Sequence, residues 1–393
     1  MKPFISTLLF FLLFTCSDAP QTTTDSTVPT AKERLQQLAA RAIADLDKVP
    51  LDSMAIPRAL NEDGTLHTVK SRDWTSGFYP GMLWQLYAVN QDPELERAAR
   101  AWTAFIEKEK YDDHTHDLGF KLYCSFGEGY KITKDERYKD IIVTASETLI
   151  QRYNDTVGCI RSWDFNAENW DFPVIIDNMM NLEMLFAATR FTDNVTFYKV
   201  ANRHALTTMK NHFRADYSSY HVIDYNPITG EVRKRNTHQG FSDDSAWSRG
   251  QAWGLHGFAT CYRETGNPAF LDRAREIANF IFNHPNLPED EIPYWDYNAP
   301  KSPEAPRDVS AAAITASGLL DLVKLDPERK DFYLQHADRI LTSLTKEEYK
   351  SDVAPFFLQH STGGFPNGFE IDVPIIYADY YYVEALRRRA ALE

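Results

Sequence analysis

Basic residues are in short supply: 42 Lys and Arg stand against 56 Asp and Glu, a formal charge of −14 at neutral pH. No run of Lys or Arg concentrates the positive charge that exists, so a nucleic-acid partner, which needs a basic face for its phosphates, is excluded. Cysteine is sparse as well, four in 393 residues, and Cys124, Cys159 and Cys261 form an odd, widely spaced set. They make no disulfide framework and read as small buried residues. Metal and nucleotide signatures are also missing. No H-E-x-x-H, C-x-x-C, phosphate-loop or dinucleotide-loop pattern occurs, and neither a metal nor another cofactor is expected. His114, His116 and Asp117 come nearest to a metal cluster, but no second ligand-rich stretch accompanies them and they read as a surface loop. Strand-like runs are scarce, the clearest being a short hairpin over 220–232 that turns at 227–230.

The apolar run near the N-terminus is too short to cross a membrane as a finished helix and follows a lysine, which marks residues 1–16 as an export signal. It ends Leu-Phe-Thr-Cys before Ser17 and Asp18, the form of a bacterial lipoprotein cleavage box, so Cys16 is expected to carry a lipid. An exported protein is expected, periplasmic or on the outer membrane, touching the membrane through that lipid alone. Residues 17–31 are rich in Ser, Thr, Pro and Asp, lack aromatics, and read as a flexible tether.

The remaining chain, 32–393, has ordinary globular content, 43% apolar and 25% charged over the whole sequence. Two kinds of helical segment alternate along it. One is amphipathic: Tyr138, Ile141, Ile142, Ala145 and Leu149 make one stripe, and Phe270, Ala274, Ile277, Ala278 and Ile281 make another. The other is apolar on nearly every side, as in the segments that follow Asp73, His116, Phe172, Trp247, Arg307 and Asp372. A helix apolar all round is buried all round. Six such helices alternating with six half-wet ones predict an all-α fold, a single (α/α)6 barrel of six helical hairpins, with variable loops explaining the irregular repeat length.

Polar residues gather where the inner helices begin: Asp73, Asp117, Asp177, Arg249, Asp308 and Asp372, near Trp74, Trp163, Trp170, Trp247 and Trp253. With parallel inner helices they converge at one end of the barrel. Carboxylates beside flat aromatic platforms suit a sugar, whose rings stack and whose hydroxyls take charged partners. Each has a plainer reading. Asp73, Asp308 and Asp372 are placed where helix caps belong, and a Trp in a helical repeat is as often core as platform. Asp177 differs, because it interrupts the apolar run Val-Ile-Ile-Asp-Asn-Met-Met, where an unpaired carboxylate is costly. A helix N-terminus would lower its pKa, an effect of about 0.3–1 kcal/mol. Burial can raise a carboxyl by about 3–5 units, so a net upward shift is expected.

The stretches DWTSGFYPG, HDLGF, IDNMMNLE, SAWSRGQAWG and DVPIIYADYYYVEAL, in this order, resemble the unsaturated glucuronyl hydrolases of glycoside hydrolase family 88, from about residue 33 to the end. The resemblance implies the same barrel and a substrate left by polysaccharide lyases, an oligosaccharide with a 4,5-unsaturated uronic acid at its non-reducing end. It implies hydration of the enol ether, with an aspartate protonating C4, water adding at C5 and the hemiketal collapsing to release the sugar. By motif, Asp177 becomes the general acid and base and Asp117 its carboxylate partner. Trp74, His116, Trp163, His221, Gln239, Arg249 and Trp253 become substrate-binding residues. His221 and Arg249 would then supply the local positive charge that an anionic sugar requires of so acidic a protein.

Glycosaminoglycan-type and ulvan-type fragments both present such an end, and neither the parent polymer nor the oligomeric state is legible. The competing readings are an unsaturated rhamnogalacturonyl hydrolase, direct inverting hydrolysis by two carboxylates, and a non-catalytic oligosaccharide-binding lipoprotein. For the N-terminus the expectation is direct: full-length protein partitions with membranes and Cys16→Ala releases it. Equal partitioning of both forms in a membrane fractionation removes the anchor.

Overall fold

The computed structural model describes Met1, residues 29–300 and residues 305–393. The export signal with Cys16, and the tether as far as residue 28, lie outside the described residues. Thr30 already belongs to the first helix, since its hydroxyl accepts from Glu33 N at 3.2 Å while the Glu33 carboxylate accepts from Thr30 N at 2.8 Å. This reciprocal cap starts the folded chain slightly before the expected residue 32.

The described chain forms twelve α-helices, and they sort as the hydrophobic pattern requires. The outer ones are α1 (Ala31–Asp45), α3 (Pro93–Ala104), α5 (Glu136–Ile150), α7 (Val195–Asn211), α9 (Pro268–Asn283) and α11 (Lys330–Ser343). The inner ones are α2 (Phe78–Asn90), α4 (Glu128–Thr133), α6 (Leu182–Thr192), α8 (Ser248–Thr265), α10 (Val309–Leu325) and α12 (Ile376–Ala390). A π-helical stretch, Gly119–Gly127, leads into α4, and a 3-10 stretch, Ile176–Asn181, leads into α6. Each inner element packs on the next and α12 returns to α2, which closes the ring. The two rows approach closely: a β-carbon on Gly81 of α2 would overlap the Cys124 carbonyl oxygen of the π-helical stretch. Cys124, Cys159 and Cys261 are buried and unpaired, as expected.

The turns explain the polarity of the barrel. Four inner helices end on a residue in the left-handed region, Gln91, Lys134, Asp193 and Gly266. Each is followed at once by the cap of the next outer helix: Asp92, Asp135, Asn194 and Asn267. A left-handed residue ends one helix and a side-chain acceptor starts the next, so this end of the barrel is sealed by minimal turns. The long connections all run from outer to inner helices and collect at the opposite rim.

These connections carry the strands. The expected hairpin is β6 (Val222–Tyr225) with β7 (Val232–Asn236), and β5 (Pro173–Ile175) joins it as a third antiparallel strand. Two further pairs, β1 (Ile56–Leu60) with β2 (Leu66–Val69) and β3 (Tyr153–Asn154) with β4 (Cys159–Ile160), were not expected. The Asp63-Gly64 turn of the first pair, with Gly64 at φ 79°, carried the usual hairpin signal. Of the three presumed caps, Asp308 caps α10 by accepting from Ser310 N and Ala311 N at 3.1 and 3.4 Å. Asp73 accepts from Thr75 N at 2.9 Å in the turn before α2. Asp372 is no cap. Ile375 holds that position on α12, while Asp372 binds His360 Nδ1 at 2.7 Å.

Candidate active site

Two motifs are held together by a close backbone approach and a side-chain-to-backbone hydrogen bond. Gly119 lies against Asn181 so closely that a β-carbon would sit 2.6 Å from Asn181 Cα, and Asn181 Oδ1 accepts from Phe120 N at 3.0 Å. Asp117 stands two residues before that glycine and Asp177 four residues before that asparagine. Sheet register adds a third group: Ile175 pairs with Val222 and Ile176 N donates to His221 O at 3.1 Å, which sets His221 beside Asp177.

The result is a cavity of about 460 Å³ at the long-loop rim of the barrel. Seven of the nine expected site residues line it: Trp74, His116, Asp117, Trp163, Asp177, Gln239 and Arg249. Sequence reasoning missed Asp164, Phe165, His238 and Phe369, which line it from loops whose tertiary course has no local signature. Phe165 and Phe369 are 49% and 40% exposed, and Phe165 stacks on Trp163 at 4.7 Å. His114 also lines the cavity and is largely exposed. Near it, ligand atoms of Asp112, Asp113 and His114 lie within 4.8 Å of one another, whereas His116 is buried and not part of that group.

Exposure and bonding distinguish the two carboxylates. Asp177 is nearly enclosed, with an 11% exposed side chain. Burial raises its pKa to about 7, the Arg249 charge opposes this, and the nearby Asp117 adds to it. Burial therefore outweighs the rest, as expected, and Asp177 exists substantially as the neutral acid near pH 7. Asp117 is more open and well bonded: Thr115 Oγ1 donates to Oδ2 at 2.9 Å, and His116 Nε2 lies 3.1 Å from Oδ1. His116 is itself held neutral by burial, which lowers its pKa against the pull of Asp117.

Two expectations need correction and a third is narrowed. His221 is not a cation. Its Nδ1 accepts from His238 N and Gln239 N, both at 3.1 Å, and burial depresses its pKa well below 6.5. Trp253 is not a sugar platform either. It is fully buried, packed between Phe120 and Tyr381 at 5.1 and 5.3 Å, and lies behind Asp177 rather than on the cavity wall. Arg249 is the one Lys or Arg among the described lining residues, yet it is 1% exposed and mostly engaged. Its Nη1 binds Asp308 Oδ2 at 2.6 Å and Thr362 O at 2.7 Å, and Nη2 binds Gly363 O at 2.5 Å. Gln239 Nε2 meets the same Gly363 carbonyl at 2.9 Å. From beneath, Arg58 reaches Glu370 Oε1 at 2.5 Å and Asp73 Oδ2 at 2.8 Å. Thus Arg249 first fixes the 361–370 loop, and only its remaining donors can face a ligand.

Residues 54–390 match the family model described as Glycosyl Hydrolase Family 88. The chain is 49% identical to the unsaturated glucuronyl hydrolase of Formosa agariphila over 348 residues, 87% of this chain and 86% of the relative. It is 32% identical to the unsaturated chondroitin disaccharide hydrolase of Streptococcus pyogenes, over 84% of this chain and 85% of that one. A crystal structure of an unsaturated glucuronyl hydrolase specific for heparin superposes with a TM-score of 0.88 at 44% identity, covering 92% of this chain and 97% of that chain.

Arg249→Lys keeps the charge but loses the fork that spans three acceptors. It is expected to cost about 2–4 kcal/mol of stability and to open the 361–370 loop to proteolysis. An unchanged denaturation midpoint and an unchanged cleavage pattern would show that these bonds do not hold the loop.

Proposed function

Since the chain belongs to glycosyl hydrolase family 88 and is an enzyme with unsaturated glucuronyl hydrolase character, we propose that this cavity removes the 4,5-unsaturated uronic acid from lyase-generated oligosaccharides by hydrating the C4=C5 enol ether. The observation that carries the reading is Asp177: a buried carboxyl with a pKa near 7, on the wall of a cavity that also holds Asp117. An enol ether is attacked at its electron-rich carbon by a proton, and a neutral carboxyl at physiological pH has one to give.

Asp177 gives its proton to C4, and the cation at C5 is stabilised by the ring oxygen. Water adds to C5 and returns a proton to the Asp177 carboxylate, which restores the acid. The C5 hemiketal then opens at the ring oxygen, leaving C1 a hemiacetal that expels the adjoining sugar with its proton. Asp117, bonded by Thr115 and His116, is the base-side partner that orients the water. The substrate carboxylate is taken by the free donors of Arg249, and Trp74 and Trp163 offer ring faces.

Among substrates, a glycosaminoglycan-type fragment is supported by the heparin and chondroitin specificities of similar enzymes. An ulvan-type fragment shares the same unsaturated end and belongs to the same proposal. The loops at the cavity also contribute Phe165, Phe369 and Asp164 to its lining. For location we retain export and a lipid on Cys16 as the reading of the N-terminal segment.

Asp177→Asn is expected to lower kcat by at least about a hundredfold while substrate still binds, followed as loss of enol-ether absorbance from lyase-generated disaccharides. In the unmodified enzyme kcat/KM should fall as pH rises through about 7, where the folded-state acid loses its proton. Turnover of a saturated glucuronide at comparable rate would instead indicate direct displacement at the glycosidic bond.

A further inference from the structure

Three buried polar atoms, one on the acid and two on rings that act on it, have no regular hydrogen-bond partner: Asp177 Oδ2, His221 Nε2 and Trp253 Nε1. Unmatched polar atoms are rare in a folded interior and ask for an explanation. Here the types are complementary. The indole nitrogen can only donate. The His221 Nδ1 lone pair is taken by two backbone N–H groups, which leaves the ring proton on Nε2. Two donors and one acceptor therefore share one enclosed space.

One of the two donors stands just short of bonding. His221 Nε2 is 3.7 Å from Asp177 Oδ2. The Trp253 N–H makes no regular hydrogen bond in this conformation, yet it is near enough to favour the ionised form of Asp177. Neither donor can swing away. Trp253 is wedged between Phe120 and Tyr381, and the His221 ring lies on Trp247 at 4.6 Å. Oδ2 is closed to solvent while the Asp177 side chain keeps 11% exposure on the cavity, so Oδ1 is the carboxyl oxygen that faces a ligand.

We propose that Trp253 and His221 are positioning residues for Asp177: they hold Oδ2 as the acceptor oxygen, keep the transferable proton on Oδ1, and close onto Oδ2 when that proton leaves. This rests on Asp177 being the proton donor. In the neutral acid Oδ2 is a weak, carbonyl-like acceptor and the contacts stay long. Once C4 takes the proton, the carboxylate gains full charge and the waiting donors shorten onto it. Interactions that strengthen as charge develops lower the barrier, and donors already held nearby need only a small movement. The arrangement also explains why a fully buried tryptophan, absent from the cavity lining, acts on the acid.

The test is Trp253→Phe, which keeps the aromatic packing and deletes the N–H, with His221→Asn, whose Oδ1 can replace Nδ1 for the two backbone donors while deleting the Nε2 donor. Each is expected to lower kcat by at least about tenfold with KM changed less than about threefold. Each should also move the alkaline limb of kcat/KM upward by about half a pH unit or more, because the ionised acid has lost a donor. An alkaline limb left in place, or a loss confined to KM, overturns the proposal in favour of a packing or substrate-contact role. Should one variant fail to fold, the other carries the same readout. Asp177→Asn run alongside separates the two levels: full activity there rejects the acid itself, whereas an inactive Asp177→Asn with unmoved alkaline limbs in the other variants rejects only the positioning.

Discussion

A carboxyl keeps its proton at neutral pH when water is denied to its anion, and the rest of this molecule is arranged around denying it to Asp177. The segment Ile176–Asn181 is clasped between the π-helical stretch at Gly119 and the inner helix α8, so the carboxyl is buried instead of standing at an open helix start. Arg249 draws its pKa down and Asp117 pushes it up, but burial is the larger effect. Were the segment to loosen by the width of a water molecule, the group would revert to an ordinary aspartate, ionised and useless as an acid at pH 7.

The same need for dryness explains how the charge is handled. An acidic protein must capture an anionic sugar with very little positive charge, and the one lining guanidinium is already committed to Asp308 and to the Thr362 and Gly363 carbonyls. That commitment brings the 361–370 loop, and with it Phe369, to the mouth of the cavity. His116 on the cavity wall and His221 beside Asp177 are both kept uncharged by burial and add no positive charge. A free cation beside Asp177 would lower its pKa further and weaken it in the proposed role of proton donor.

How far this was legible from residue order differs from feature to feature. The barrel was legible because α8, α10 and α12 are apolar on every side, a pattern independent of their neighbours. Asp177 was legible because a lone acid inside Val-Ile-Ile-Asp-Asn-Met-Met contradicts its surroundings. The state of His221 was not, because it depends on the register of β5 with β6 and on the backbone N–H groups of His238 and Gln239. Trp253 read as a platform because its motif places it near the site, while only tertiary packing shows Phe120 and Tyr381 enclosing it. Phe165 and Phe369 lie in loops whose sequence resembles any other loop.

Titration of the Asp177 carboxyl itself is the most direct measurement, made by carbon-13 NMR on protein labelled at the aspartate carboxyl carbons. Asp379 is also raised, to about 8, by burial, so the decisive quantity is the difference between wild type and Asp177→Asn. A resonance with its midpoint near 7 that is present in the first and missing from the second is the predicted result. If the resonance lost in Asp177→Asn titrates below about 5, in the usual carboxylate range, then Asp177 is ionised when the enzyme works and cannot be the proton donor.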